Sequence, residues 1–172
     1  MNQSQTHFEL FGLAAGFDID LAALESRYRQ LQREVHPDRF AAAPQAQQRV
    51  AMELATRVNE AYRTLKSPVE RAKYLLKLND VDAGLETDTA MPQDFLVQQM
   101  ELREALEEAV EAENGEKLAD LRDRLQGGRG ALLLEIEAQL GGKDWNAAAG
   151  TLRRLMFMEK LGEEIAAAED DL

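Results

Sequence analysis

The chain has 172 residues, 45% hydrophobic and 30% charged, enough for one ordinary domain or two small ones with modest cores. With no cysteine and only His7 and His36 as imidazoles, the chain itself excludes a disulfide framework, a thiolate zinc site, a cysteine-ligated iron–sulfur cluster and a histidine-rich metal centre. The formal charge of −12 is unevenly spread, with 11 Lys+Arg against 10 Asp+Glu in residues 1–80 and 9 against 22 in residues 81–172, so two domains with different partners are expected.

No apolar run approaches the roughly 20 residues of a membrane span, and Met1-Asn2-Gln3-Ser4-Gln5 has neither a basic nor an arginine-rich leader pattern. The expected location is the cytoplasm, with no membrane or nucleic-acid partner.

The first half reads as all helix. Thr6 is positioned to cap a short helix around Phe8, Leu10 and Phe11, which Gly12 ends. Asp20 caps a second helix whose Leu21, Leu24, Tyr28, Leu31 and Val35 step by three and four. Arg29 and Arg33 project away from that stripe, with Arg27 nearer its flank. Pro37 stops the helix at His36, leaving His36-Pro37-Asp38 in the following loop. Alone, the tripeptide reads as an ordinary turn. A third helix from about Pro44 to Lys66 presents Val50, Leu54, Val58, Ala61 and Leu65, and Ser67-Pro68-Val69-Glu70 starts a fourth that runs to about Leu78. Turn formers gather at Asn79-Asp80-Val81-Asp82-Ala83-Gly84, the expected junction.

In the second half, Pro92 opens a helix to about Asn114-Gly115, with Phe95, Leu102, Leu106 and Val110 as its core stripe. Leu96, Val97 and Met100 lie roughly 80° to 180° around the helix from that stripe, and Glu101, Glu104 and Glu108 continue the same far side. That pattern fits either a partner surface with apolar anchors and an acidic rim or a face packed under the linker or the first domain. A segment from Glu116 to Leu140 carries Leu118, Leu121, Leu125, Leu132, Leu133, Ile136 and Leu140 at helical spacing, interrupted by Gly127, Gly128 and Gly130. No strand precedes these glycines and no Lys-Ser/Thr follows, so they predict a kink or weak point in a helix rather than a phosphate loop. Gly141-Gly142 ends the segment. Asp144 caps a last helix, Trp145 to about Ala168, with Trp145, Ala148, Leu152, Leu155 and Met156 inward and Phe157 about 140° from Leu152. Three such helices make a small bundle, giving an all-α chain with bounds near 1–78, a linker at 79–91 and a bundle at 92–172.

No nucleophile motif accompanies His36 and no Glu-x-x-His pair occurs, which argues against a hydrolase and a di-iron bundle. No catalytic residue, metal or cofactor is expected.

Two antiparallel helices joined by a loop carrying His36-Pro37-Asp38, preceded by His7-Phe8-Glu9-Leu10-Phe11-Gly12-Leu13 and followed by Asn59-Glu60-Ala61-Tyr62-Arg63-Thr64-Leu65-Lys66-Ser67-Pro68, resemble a J domain over about the first 75 residues. The resemblance implies a co-chaperone that docks on a DnaK-type chaperone and stimulates its ATP hydrolysis through Arg29, Arg33, His36, Pro37, Asp38 and Arg39. The segments Phe95-Leu96-Val97-Gln98-Gln99-Met100-Glu101-Leu102-Arg103-Glu104, Asp144-Trp145-Asn146-Ala147-Ala148-Ala149 and Leu152-Arg153-Arg154-Leu155-Met156-Phe157-Met158-Glu159-Lys160-Leu161 resemble the C-terminal domain of the HscB family, J-type co-chaperones of iron–sulfur cluster biogenesis. That resemblance spans nearly the whole chain. It implies that an HscA-like chaperone is the ATPase partner and that an IscU-like cluster scaffold binds Leu96, Val97, Met100, Glu101, Glu104, Glu108 and Phe157. A general J-protein adaptor for another client is the alternative.

Overall fold

Local capping sets most of the helix boundaries in the computed structural model, which describes residues 5–81 and 93–172. Among those residues every regular element is a helix, with no strand. Helix α1 spans His7–Phe11: the Thr6 hydroxyl accepts from the Glu9 amide, the Glu9 carboxylate accepts from the Thr6 amide, and Gly12 closes it at φ 67°. That reciprocal pair satisfies two amides the first turn would otherwise leave without partners. Asp20 accepts from the Ala23 amide and opens α2, Leu21–Val35. His36 follows at φ −59°, ψ 128°, the extended geometry a succeeding proline imposes. A short 3-10 helix, Pro37–Phe40, turns the chain into α3, Gln45–Lys66. The Ser67 hydroxyl then accepts from the Glu70 amide at the start of α4, Pro68–Leu78.

Contacts divide the chain into two compact units, Met1–Leu75 and Leu76–Leu172. In the first, α2 and α3 run antiparallel over a core of Leu24, Leu31, Val35, Ala51, Val58, Ala61 and Leu65, with Phe8, Leu10 and Phe11 of α1 also buried. Of the expected core residues here, Val50 is 50% exposed and Leu21 52%, and Leu54, Tyr28 and Tyr62 are only half-buried. Ala51 takes the inward place, in heptad register with Val58 and Leu65. Arg71 of α4 is buried, donates to the Leu65 carbonyl at 2.7 Å and lies 5.1 Å from the Phe17 ring centroid, fixing the α3–α4 corner.

The second unit contains α5, Gln93–Glu111, α6, Gly115–Gly141, and α7, Trp145–Asp170, opened by the Asn114 and Asp144 caps of α6 and α7. Pro92, and the expected junction beyond Val81, lie outside the described residues. Helices α6 and α7 pack antiparallel through Leu118, Leu121, Leu125, Leu132, Ile136 and Leu140 against Ala148, Leu152, Leu155, Leu161 and Ile165. Ion pairs Arg122–Glu169 (2.7 Å), Arg129–Glu159 (3.0 Å) and Arg154–Glu135 (2.6 Å) follow that antiparallel register. The glycines do not break α6, which is continuous through Gly127, Gly128 and Gly130, because buried Leu125 and Leu132 anchor it on either side. Nor does a left-handed glycine end it: Gly142 has φ −79° and the left-handed residue is Lys143, at φ 58°. On α5 the inward residues are Phe95, Leu102, Leu106 and Ala109, whereas Val110, expected inside, is 46% exposed. Trp145 and Met156 of α7 are only half-buried, and Met158 is buried beyond them.

Candidate functional site

In the first unit, the expected site residues gather at the α2–α3 turn. The ring nitrogen Nδ1 of His36 accepts from the Asp38 amide at 3.3 Å and lies 3.6 Å from Asp38 Oδ2, so the side chain caps the 3-10 helix that begins at Pro37. Arg39 donates to the Arg33 carbonyl at 3.1 Å, tying the turn back to the last turn of α2. His36, Asp38, Arg29, Arg33 and Arg39 are all exposed. Helices α2 and α3 and the turn enclose a groove of about 920 Å³, lined by Arg29, Arg33, Arg39 and His36 together with Gln32 and Asn59.

The wall of this groove was not expected from the sequence. The Tyr28 hydroxyl donates to Asn59 Oδ1 at 2.9 Å and accepts from Gln32 Nε2 at 2.6 Å, while its ring stacks on Tyr62 with centroids 3.8 Å apart. Both tyrosines, expected in the core, are half-buried at this edge. The stack and its hydrogen bonds hold α2 to α3 behind the groove. Gln32, one turn after Tyr28, was the available signal. Arg29 is ion-paired with Glu25 one turn earlier, and the hydrogen bond and then the charge of Arg29 lower the pKa of the Glu25 carboxyl, against an opposing effect of burial and with a lesser contribution from the charge of Lys66. A cationic groove beside a rigid turn suits an acidic partner surface, since positive potential steers the encounter and the turn has little conformational freedom left to lose.

The second candidate face lies on α5. Leu96 is 41% exposed, Val97 54% and Met100 71%, an unusual run of large apolar side chains at a helix surface. Glu101, Glu104 and Glu108 are exposed beside them, Glu108 with its carboxylate 4.0 Å from the Lys117 ammonium. Phe157 of α7 is half-buried and meets the Phe95 ring edge-to-face, centroids 5.8 Å apart. The Arg103 guanidinium carbon stands 5.7 Å from the Phe157 centroid and forms a two-point pair with Glu164 at 3.1 and 3.4 Å. Arg103, seven residues from Leu96, is a member of this face that the sequence reading passed over. Among the described residues no group of three or more His, Cys, Asp or Glu could hold a metal ion, and no helix is long and apolar enough to cross a membrane.

Comparison with known proteins agrees with this geometry. A DnaJ domain family model matches residues 6–74, the antiparallel hairpin with its His-Pro-Asp turn, and the fold and site define a co-chaperone of the J-domain class. A second family model, the HscB C-terminal oligomerisation domain, matches residues 91–166. The chain is 51% identical over 162 residues to the co-chaperone protein HscB homolog of Aromatoleum aromaticum, covering 94% of this chain and 92% of that protein. It is 50% identical to the corresponding protein of Burkholderia thailandensis, covering 94% and 93%. Among solved structures it resembles the chaperone HscB from Vibrio cholerae with a TM-score of 0.88 at 37% identity, over 98% of this chain and 99% of that one. Human co-chaperone HscB superposes with a TM-score of 0.95 at 29% identity, over 100% and 86%. The chain belongs to the HscB family of co-chaperones.

Proposed function

We propose that the protein captures an IscU-like iron–sulfur cluster scaffold on its C-terminal unit and presents it to an HscA-like chaperone of the DnaK type, whose ATP hydrolysis its J domain stimulates. In this reading residues 1–78 form the J domain, 79–91 the connection and 92–172 the scaffold-binding bundle, and the protein works in the cytoplasm. The observation that carries it is the pairing, in one chain, of a basic His-Pro-Asp groove with an apolar, acid-rimmed helix face. Leu96, Val97 and Met100 supply surface to desolvate, Phe157 an aromatic anchor, and Glu101, Glu104 and Glu108 a rim that orients a cationic partner. Arg29, Arg33 and Arg39 engage an acidic surface of the chaperone, with His36, Pro37 and Asp38 presented at the tip.

The two ends separate in one experiment. His36→Gln is expected to abolish stimulation of the chaperone's ATPase while leaving scaffold affinity in calorimetry unchanged. Leu96→Ala with Met100→Ser, both at exposed positions that leave the Phe95–Phe157 contact intact, is expected to weaken scaffold binding by at least tenfold, as removal of central apolar anchors commonly does, without altering stimulation measured in the absence of scaffold. Full stimulation by His36→Gln, or unchanged affinity in the double variant, contradicts the assignment.

A further inference from the structure

An arginine stands out on the acidic, apolar face of α5. Arg103 follows Leu96 by seven residues and lies beside the Phe157 ring, its guanidinium carbon 5.7 Å from the ring centroid. Left to itself, an arginine on this helix has an obvious local partner in Glu107, four residues on. Instead the guanidinium crosses to α7 and engages both oxygens of Glu164, Nη1 to Oε2 at 3.1 Å and Nη2 to Oε1 at 3.4 Å. A two-point pair of this kind fixes the plane of the guanidinium as well as its position. The Phe157 ring is thereby bounded by Phe95 edge-to-face at 5.8 Å and by a cation that cannot swing freely.

We propose that Glu164 is a positioning residue for partner capture: its carboxylate holds Arg103 beside Phe157 and so fixes that ring as a preformed aromatic anchor at the edge of the Leu96–Met100 face. The proposal rests on the scaffold-binding reading above. Both carboxylate oxygens of Glu164 are engaged by one guanidinium, which leaves the group poorly placed to bind a partner itself. An anchor already held in its bound conformation loses less freedom on association than one that must be ordered at that moment.

The test uses the full chain with labelled phenylalanine, whose six ring systems are few enough to assign. Glu164→Gln is expected to shift the Phe157 ring resonance and increase its motional averaging, and to weaken affinity for an IscU-like scaffold about threefold, the scale of an exposed cation–π contact. In a Phe157→Ala background the same substitution is expected to change affinity no further. A Phe157 resonance unmoved by Glu164→Gln overturns the clamp. An equal loss of affinity in the Phe157→Ala background shows that Glu164 touches the partner directly and overturns the positioning role. Absence of scaffold binding by the unaltered chain overturns the scaffold reading and the functional half of this proposal with it, while the ring resonance still decides the clamp.

Discussion

Arg29 and Arg71 put the same cation to opposite uses. Arg29 is exposed and shared: its pair with Glu25 depresses the carboxyl's pKa, first through the hydrogen bond from Arg29 and then through its charge. A carboxyl whose folded pKa is lowered contributes stability above its unfolded pKa, and that contribution is lost as pH falls through the folded value. The pair is exposed, so salt screens it. A carbon-detected NMR titration is therefore expected to place the Glu25 midpoint below that of a glutamate in an unstructured peptide, and 1 M salt or Arg29→Ala is expected to move it back up. A midpoint indifferent to both contradicts the pairing. Arg71 is buried, and burial lowers its pKa while the charge of Asp18 opposes the shift. Its bond to the Leu65 carbonyl satisfies an acceptor at the end of α3, which makes it a structural cation rather than a binding one.

At the scale of elements, α6 carries glycines with two different histories. A Cβ at Gly128 would lie 3.3 Å from Met158 Cε, and one at Gly162 of α7 would lie 3.2 Å from Leu125 Cδ2, so both sit where α6 and α7 approach closely. Gly127 and Gly130 have nothing within 4 Å of that position. Their glycine cost is uncompensated, and alanine at each is expected to stabilise the protein by about 1 kcal/mol. Urea unfolding of Gly127→Ala with Gly130→Ala should show a raised midpoint, whereas Gly162→Ala, which must push the buried Leu125 side chain aside by a few tenths of an ångström, should gain less per residue; no gain from the double variant would mean that α6 is strained there in some other way. From sequence the glycines were legible as weak points. The helix continues through them as the Glu116–Leu140 spacing implied, held on either side by buried Leu125 and Leu132, whose partners on the neighbouring helix the sequence did not specify.

At the scale of the whole molecule, the charge division follows the two binding ends proposed above. Residues 1–80 are near neutral overall, yet Arg29, Arg33 and Arg39 line one groove, whereas residues 81–172 hold 22 acidic against 9 basic residues. Association with the chaperone and with the scaffold should each slow as ionic strength rises, since both are steered by opposite charge. Glu101→Gln with Glu104→Gln is expected to flatten the salt dependence of scaffold association in stopped-flow measurements and to leave that of chaperone stimulation unchanged. Equal flattening of both would mean that the protein acts through its net charge rather than through two local surfaces.

Helix starts and the His-Pro-Asp turn were determined by the sequence alone, because caps and proline restrictions act within three or four residues: Thr6, Asp20, Ser67 and Asp144 each cap the helix expected of them. The direction of Leu96, Val97 and Met100 was legible too, since a helix whose core stripe runs through Phe95, Leu102 and Leu106 must point them away from that stripe, whereas their exposure was left open. Tertiary structure decided between neighbours. Ala51 rather than Val50, and Ala109 rather than Val110, face inward, because the neighbouring helix surface selects the residue that fits and leaving one valine in water costs only about 1.5–3 kcal/mol. It also seated Phe157 between Phe95 and Arg103 and joined Arg103 to Glu164, 61 residues away, a pairing that no local pattern encodes.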